Sequence, residues 1–183
     1  MSRAAVFLAD GFEEVEALAP VDMMRRAGIT VTTFAVGGSI DVYGSHGIKV
    51  EADTSLAAAG GFGEFDLLML PGGGDGTKNL EQCARLLEEL KTADEAGKMI
   101  AAICAAPRIL GRLGMLEGRR AVCYPGNEEH LKGAELHPEC RVVADGRYIT
   151  ARGMGASIEF GAAIIEALEG KDKADDILKR IQF

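Results

Sequence analysis

The chain has no basic cluster, no long apolar run and no closely paired cysteines, and each absence removes a class of function. Its 20 lysines and arginines stand against 28 acids, a formal charge of −8. A nucleic-acid backbone or an anionic membrane surface therefore finds no basic footprint. The longest unbroken apolar stretches, such as Met99 to Ala106, fall far short of the roughly 20 residues that cross a bilayer. The opening "MSRAAVFLADGFEE" has six apolar residues and then acids, so it reads as a strand and not as a secretory leader. Cys83, Cys104, Cys123 and Cys140 lie about twenty residues apart with no C-x-x-C among them, which suggests neither a zinc knuckle nor a thioredoxin-like pair. Free thiols in a reducing, cytoplasmic setting are the expectation. Repeats, low-complexity tracts and linkers are also missing, so residues 1–183 are expected to form one domain.

Apolar runs of two periods are present throughout. Ala4–Ala9, Thr30–Val36, Phe65–Leu70, Met99–Ile103 and Ala121–Tyr124 read as strands. Helical patterns over Val15–Ala27, about Lys78–Ala96, Pro107 onward, Ala156–Leu168 and from about Lys173 alternate with them. A hairpin excursion is expected over residues 40 to 55. A second hairpin pairs Arg141–Ala144 with Tyr148–Ala151 around Asp145-Gly146. Such alternation predicts an α/β fold, a mostly parallel sheet with helices on both faces. Ligands in these folds bind beyond the carboxyl ends of the strands. Four small-residue segments fall there: "DGFEEVE", "PGGGDG", "CAAP" and "ARGMGAS".

Cys104 sits where a strand gives way to a helix that Pro107 starts, a corner resembling a nucleophile elbow. A helix N-terminus lowers a thiol pKa, which predicts a thiolate near neutral pH; the bland alternative is a buried cysteine acting as a small hydrophobe. Cys83, Cys123 and Cys140 take structural readings, in a helix, a strand and a polar loop. Glu13 and Glu14 suit the dipole of the first helical turn, whereas Glu16, one turn in, can point to the rim near Cys104. A thiol and a carboxyl so placed share a proton, and an acidic loop there also disfavours a flavin phosphate. "PGGGDGTKN" lacks the Gly-Lys-Ser/Thr of a phosphate loop; the bare N–H groups of Gly72 to Gly74 suit an oxyanion, or simply a tight turn. His137-Pro138-Glu139 resembles the His-Pro-Glu of class I glutamine amidotransferases, but its polar surroundings favour a surface loop. His130 is expected to be solvated and His46 to lie at a hairpin tip.

Taken together, "DGFEEVEALAPVDMMRRAGI", "FDLLMLPGGG", "IAAICAAP" and "ARGMGASIEFGAAIIEAL" resemble the ThiJ/PfpI family, specifically its DJ-type branch, over nearly the whole chain. The resemblance implies a flavodoxin-like three-layer sandwich, a homodimer, and a reactive Cys104 paired with a protonated Glu16. Backbone groups at Gly73, Gly74 and Ala105 would face an oxyanion. Members are described as cofactor-free glyoxalases, deglycases, redox-sensing chaperone-like proteins or peptidases. Two departures stand out: Ala105 replaces the histidine of the hydrolytic branch, and Tyr124 replaces a pocket histidine before Pro125. His46 is aligned to approach the partner's pocket.

The leading expectation is thus a glyoxalase- or deglycase-like cysteine enzyme acting on a small aldehyde or glycated substrate, with no metal or organic cofactor. The alternative is an oxidative-stress sensor or chaperone-like protein whose Cys104 oxidises to a sulfinic acid. An amidase or peptidase comes third.

Overall fold

The architecture follows from strands that bury both faces. In the computed structural model of residues 1–183, a central sheet is built from β1 (Arg3–Leu8), β2 (Thr30–Ala35), β5 (Thr54–Ser55), β6 (Leu67–Leu70), β7 (Met99–Ile103), β10 (Val142–Asp145) and β11 (Tyr148–Ala151). Their order is β10-β11-β7-β6-β1-β2-β5, with every pairing parallel except β10 against β11. The two-residue side-chain alternation of a strand sorts each apolar run between two cores. Ala4, Val6 and Leu8 join one core, while Ala5 and Phe7 join the other. Leu67 and Met69 split in the same way from Leu68 and Leu70.

Helices α1 (Glu14–Arg26), α5 (Ser157–Glu169) and α6 (Lys171–Arg180) cover the first face. Helices α2 (Gly74–Gln82), α3 (Ala84–Glu95) and α4 (Pro107–Arg112) cover the second. The result is the expected flavodoxin-like three-layer sandwich. On the second face Phe7, Phe34, Phe62 and Phe65 pack with ring centroids 4.9 to 5.8 Å apart, so more than half of the chain's seven phenylalanines serve one cluster. No helix is long and apolar enough to cross a membrane.

Two elements differ from their sequence reading. The helix expected from Lys78 to Ala96 starts at Gly74 and breaks at Cys83, which is extended at φ −82°, ψ 93°. In one straight helix Leu80 and Leu86 would point about 120° apart, since six residues turn the helix by about 600°; the break lets both become fully buried. The strand expected over Ala121–Tyr124 shrinks to β8 (Arg120–Ala121), paired with β9 (Glu135–Leu136) in a small separate sheet. Beyond β8 the chain bonds sideways instead: Val122 N–H donates to Thr150 Oγ1 at 3.0 Å and Tyr124 N–H to the Cys104 carbonyl at 2.7 Å. Cys123 is consequently buried in a loop, not in a strand.

The expected hairpin is present as β3 (Asp41–Tyr43) and β4 (Lys49–Glu51). It docks on the loop before α1 through Gly11 N–H to the Tyr43 carbonyl, 2.7 Å, and Ser45 N–H to the Phe12 carbonyl, 2.8 Å.

Candidate active site

The connection after β1 runs outward to β2 on one side, and the connection after β6 runs outward to β7 on the other. The loops that follow β1 and β6 therefore part and leave a crevice at the strand ends. The loops are stitched together across it: Glu13 N–H donates to the Gly72 carbonyl and Gly76 N–H to the Gly11 carbonyl, both at 3.0 Å. The turn after β7 closes the crevice and carries Cys104.

Cys104 has φ +66°, one of two non-glycine residues with positive φ. That conformation costs a non-glycine residue on the order of 1–3 kcal/mol and persists only where the surroundings impose it. Here both backbone groups are held, the N–H donating to the Ala151 carbonyl at 2.8 Å and the carbonyl accepting from Tyr124 at 2.7 Å. A glycine would relieve the strain but would carry no thiol. Buried Ala105 and Ala106 let the chain turn against the sheet.

Glu16, only 1% exposed, reaches the same point from α1. Its Oε2 accepts the Gly72 N–H at 3.0 Å, and its carboxyl lies beside the Cys104 thiol, each group shifting the other's acidity. Gly72 separates them: a Cβ there would stand 2.4 Å from Glu16 Oε2 and 2.6 Å from Cys104 Cβ. Glu13 fixes the entry to α1, its Oε2 accepting the Glu16 N–H at 2.7 Å.

Burial pushes Glu16 up to about 7, with the negative Glu13 adding to the rise, while hydrogen bonds from Cys104 and Gly72 restrain it. Burial also pushes the Cys104 thiol up to about 12; the Glu16 charge and hydrogen bond raise it further, against the N–H groups of Ala105 and Gly73. The thiolate expected from a helix N-terminus is thereby corrected. Helix α4 is six residues long and begins only at Pro107, and desolvation beside a carboxylate outweighs it. The pair holds one proton between two sites. With that proton on Glu16 the repulsion disappears, and the sulfur faces an acid O–H and two backbone N–H groups.

The other expected site residues divide. Gly73 and Ala105 supply those N–H groups, whereas Gly74 lies one residue on, at the exposed start of α2. Tyr124 grips Cys104 through its backbone, and its half-exposed ring rests by Gly153 in a cleft of about 440 Å³ that Arg141, Arg152 and Met154 also line. His46 is 73% exposed in its side chain and turns toward Glu14, with Nδ1 3.0 Å from Oε2 and its N–H donating to Oε1 at 2.7 Å. His137 lies apart, between Glu135 and Glu139, as a surface loop requires. His130 is in a 3-10 turn beside Glu129.

Sequence reasoning missed Glu14. Expected only as a first-turn acid suited to the helix dipole, it is 4% exposed and also accepts from Ser45 Oγ at 3.2 Å. Burial alone would raise it, but the hydrogen bonds from His46, helped by Ser45, bring it down to about 2. Nothing local marks this role, because its partners lie 31 and 32 residues away on the hairpin. Glu13, Glu14 and His46 place oxygen and nitrogen donors close enough for a cation, yet their Glu14 carboxylate is already satisfied by the hairpin.

A family description, DJ-1/PfpI, matches residues 2–167. The chain is 41% identical over 176 residues to protein DJ-1 homolog B of Arabidopsis thaliana, covering 96% of this chain but only 40% of that protein. It is 32% identical over 167 residues to the glutathione-independent glyoxalase DJR-1.2 of Caenorhabditis elegans, covering 91% of this chain and 88% of that one. The crystal structure of Drosophila melanogaster DJ-1beta superposes with a TM-score of 0.94 at 36% identity, covering 100% and 98% of the two chains. The chain belongs to the DJ-1/PfpI family.

Proposed function

We propose that this DJ-1/PfpI chain is a cofactor-independent cysteine enzyme of reactive-carbonyl defence, glyoxalase- or deglycase-like, acting on methylglyoxal-class aldehydes. The observation that supports it is the pairing of buried Glu16 with half-buried Cys104, a nucleophile beside a proton carrier. The name of the C. elegans relative, a glutathione-independent glyoxalase, agrees with that chemistry.

In this reading the Cys104 sulfur adds to the aldehyde carbon and the carbonyl oxygen takes the shared proton, giving a hemithioacetal. Glu16, now a carboxylate, removes the proton on that carbon and returns one to the neighbouring ketone carbon. The product is a thioester of a 2-hydroxy acid, which water hydrolyses to lactate while the sulfur recovers its proton. N–H groups of Gly73 and Ala105 stabilise the oxyanions. The test is lactate formation from methylglyoxal without glutathione. Turnover by the native chain, abolished in Cys104→Ala, supports the reading; no turnover overturns it.

A second reading, redox sensing, draws on the same two backbone N–H groups, which would equally hold the oxygens of a sulfinate. It predicts that peroxide oxidises Cys104 ahead of Cys123, as read by mass spectrometry in the native chain and in Cys123→Ser. Equal oxidation of both thiols would sink it.

A further inference from the structure

In the loop that follows β9, three unlike donors meet in one turn. The His137 carbonyl accepts the Cys140 N–H at 3.0 Å, closing a turn around Pro138 and Glu139, with proline where such turns favour it. His137 is anchored in turn, its N–H donating to the Ala121 carbonyl of β8 at 2.9 Å. The turn brings an imidazole, a carboxylate and a thiol together: His137 Nδ1 stands 2.9 Å from Glu139 Oε1, and Cys140 Sγ 3.7 Å from the same oxygen. All three donor atoms lie within 4.8 Å of one another.

We propose that His137, Glu139 and Cys140 form a binding site for a borderline divalent cation of the zinc class. Tetrahedral zinc with bonds of about 2.0 Å to nitrogen and oxygen and about 2.3 Å to sulfur puts N and O about 3.3 Å apart and S and O about 3.5 Å apart. The His137–Glu139 and Cys140–Glu139 separations differ from those values by tenths of an ångström, and the His137 and Cys140 donors lie within 4.8 Å of each other. One thiolate, one imidazole and one carboxylate also match zinc's taste for mixed ligands better than calcium's or magnesium's for oxygen alone.

A second observation is the neighbour behind the histidine. Glu135 Oε1 lies 3.2 Å from His137 Nε2, on the side away from the other two donors. This is the carboxylate that orients a metal-bound imidazole from behind. Binding keeps the imidazole proton on Nε2, donated to Glu135, leaves Nδ1 as the ligand and releases the Cys140 thiol proton to solvent. Glu139, 67% exposed in its side chain, leaves the fourth position open to water. The C-x-x-C test applied to the sequence does not detect such a set, because only one of its ligands is a cysteine.

The experiment is a cobalt titration of the full chain, with cobalt as the spectroscopic stand-in for zinc. A sulfur-to-cobalt charge-transfer band saturating at one equivalent, displaced by added zinc, is expected. The band should vanish in Cys140→Ser, weaken at least tenfold in apparent affinity in His137→Gln, and persist in Cys104→Ser and Cys123→Ser. The turn is at the surface, so Cys140→Ser and His137→Gln should keep the native far-UV circular dichroism. No band, a band that survives Cys140→Ser, or one lost in Cys104→Ser would overturn the proposal. The outcome is independent of glyoxalase turnover.

Discussion

Glu14 and Glu16 sit two residues apart in the first turn of α1, at 4% and 1% exposure, and their acidities move in opposite directions. Glu14 falls to about 2 and Glu16 rises to about 7. Burial is the largest effect on both and pushes both upward, so burial does not separate them. Their partners do. Glu14 accepts from a backbone N–H, an imidazole and a hydroxyl of the hairpin tip. Glu16 accepts one backbone N–H and faces a thiol whose ionised form would repel it. One carboxyl is thus a fixed anion that clasps the hairpin, and the other is a proton reservoir beside a strained cysteine.

The comparison breaks first at the level of turnover. In the proposed reaction Glu16→Gln should lose at least about 100-fold in lactate formation, the scale of a lost general base, whereas Glu14→Gln should stay within about threefold. Similar losses in both variants would mean that the two acids form one functional unit. Gly72→Ala should come next, because its methyl would strike both Glu16 Oε2 and Cys104 Cβ. Overpacking of that kind costs about 1–3 kcal/mol, measurable as a shift in urea midpoint, and it should lower turnover along with stability. An unchanged midpoint would show that the two side chains can part freely.

Stability against pH then sharpens the contrast, because the signs differ. Glu14 is depressed from 4.5 to about 2 when folded, so between these values the unfolded chain binds more protons. Stability from Glu14 is present above pH 4.5 and is lost as pH falls toward 2. Glu16 is raised from 4.5 to about 7, so there the folded chain binds more protons, and stability falls as pH rises from 4.5 to 7. Glu14→Gln should flatten the acid limb alone and Glu16→Gln the decline toward neutrality alone, in urea unfolding across pH 2 to 8. Crossed effects would reverse the assignments.

Much of this was legible in the chain, and the unread part has a common cause. Strand β1 was readable because Ala4 to Leu8 are apolar without a break, the mark of a strand buried on both faces. The "CAAP" corner and the Asp145-Gly146 hairpin followed from local chemistry. The break at Cys83 was hidden, since it is imposed by where Leu80 and Leu86 must point in the core. Glu16 was singled out by family resemblance together with its place one turn into α1; physics alone did not choose it over its neighbours. The direction of the Cys104 shift was misjudged because a sequence shows a nearby helix start but not how much water a fold removes. Glu14 was misread for the same reason: its partners are on a hairpin that only tertiary structure brings to it.

The smallest expected effect isolates the exposed half of the clasp. His46→Ala removes the imidazole from Glu14 but leaves the residue's own N–H, 2.7 Å from Oε1, and the Ser45 hydroxyl. An ion pair with one exposed partner is largely screened by water, so the urea midpoint at pH 7 should move only slightly. His46 is itself raised above 6.5, first by the Glu14 hydrogen bond and then by its charge. Its stabilisation is complete below pH 6.5 and is lost as pH rises through the folded value. His46→Ala should therefore differ more from the native chain at pH 5.5 than at pH 8.5. No difference at either pH would show that Glu14 is held by the backbone and Ser45 alone, and that the histidine contributes nothing to the clasp.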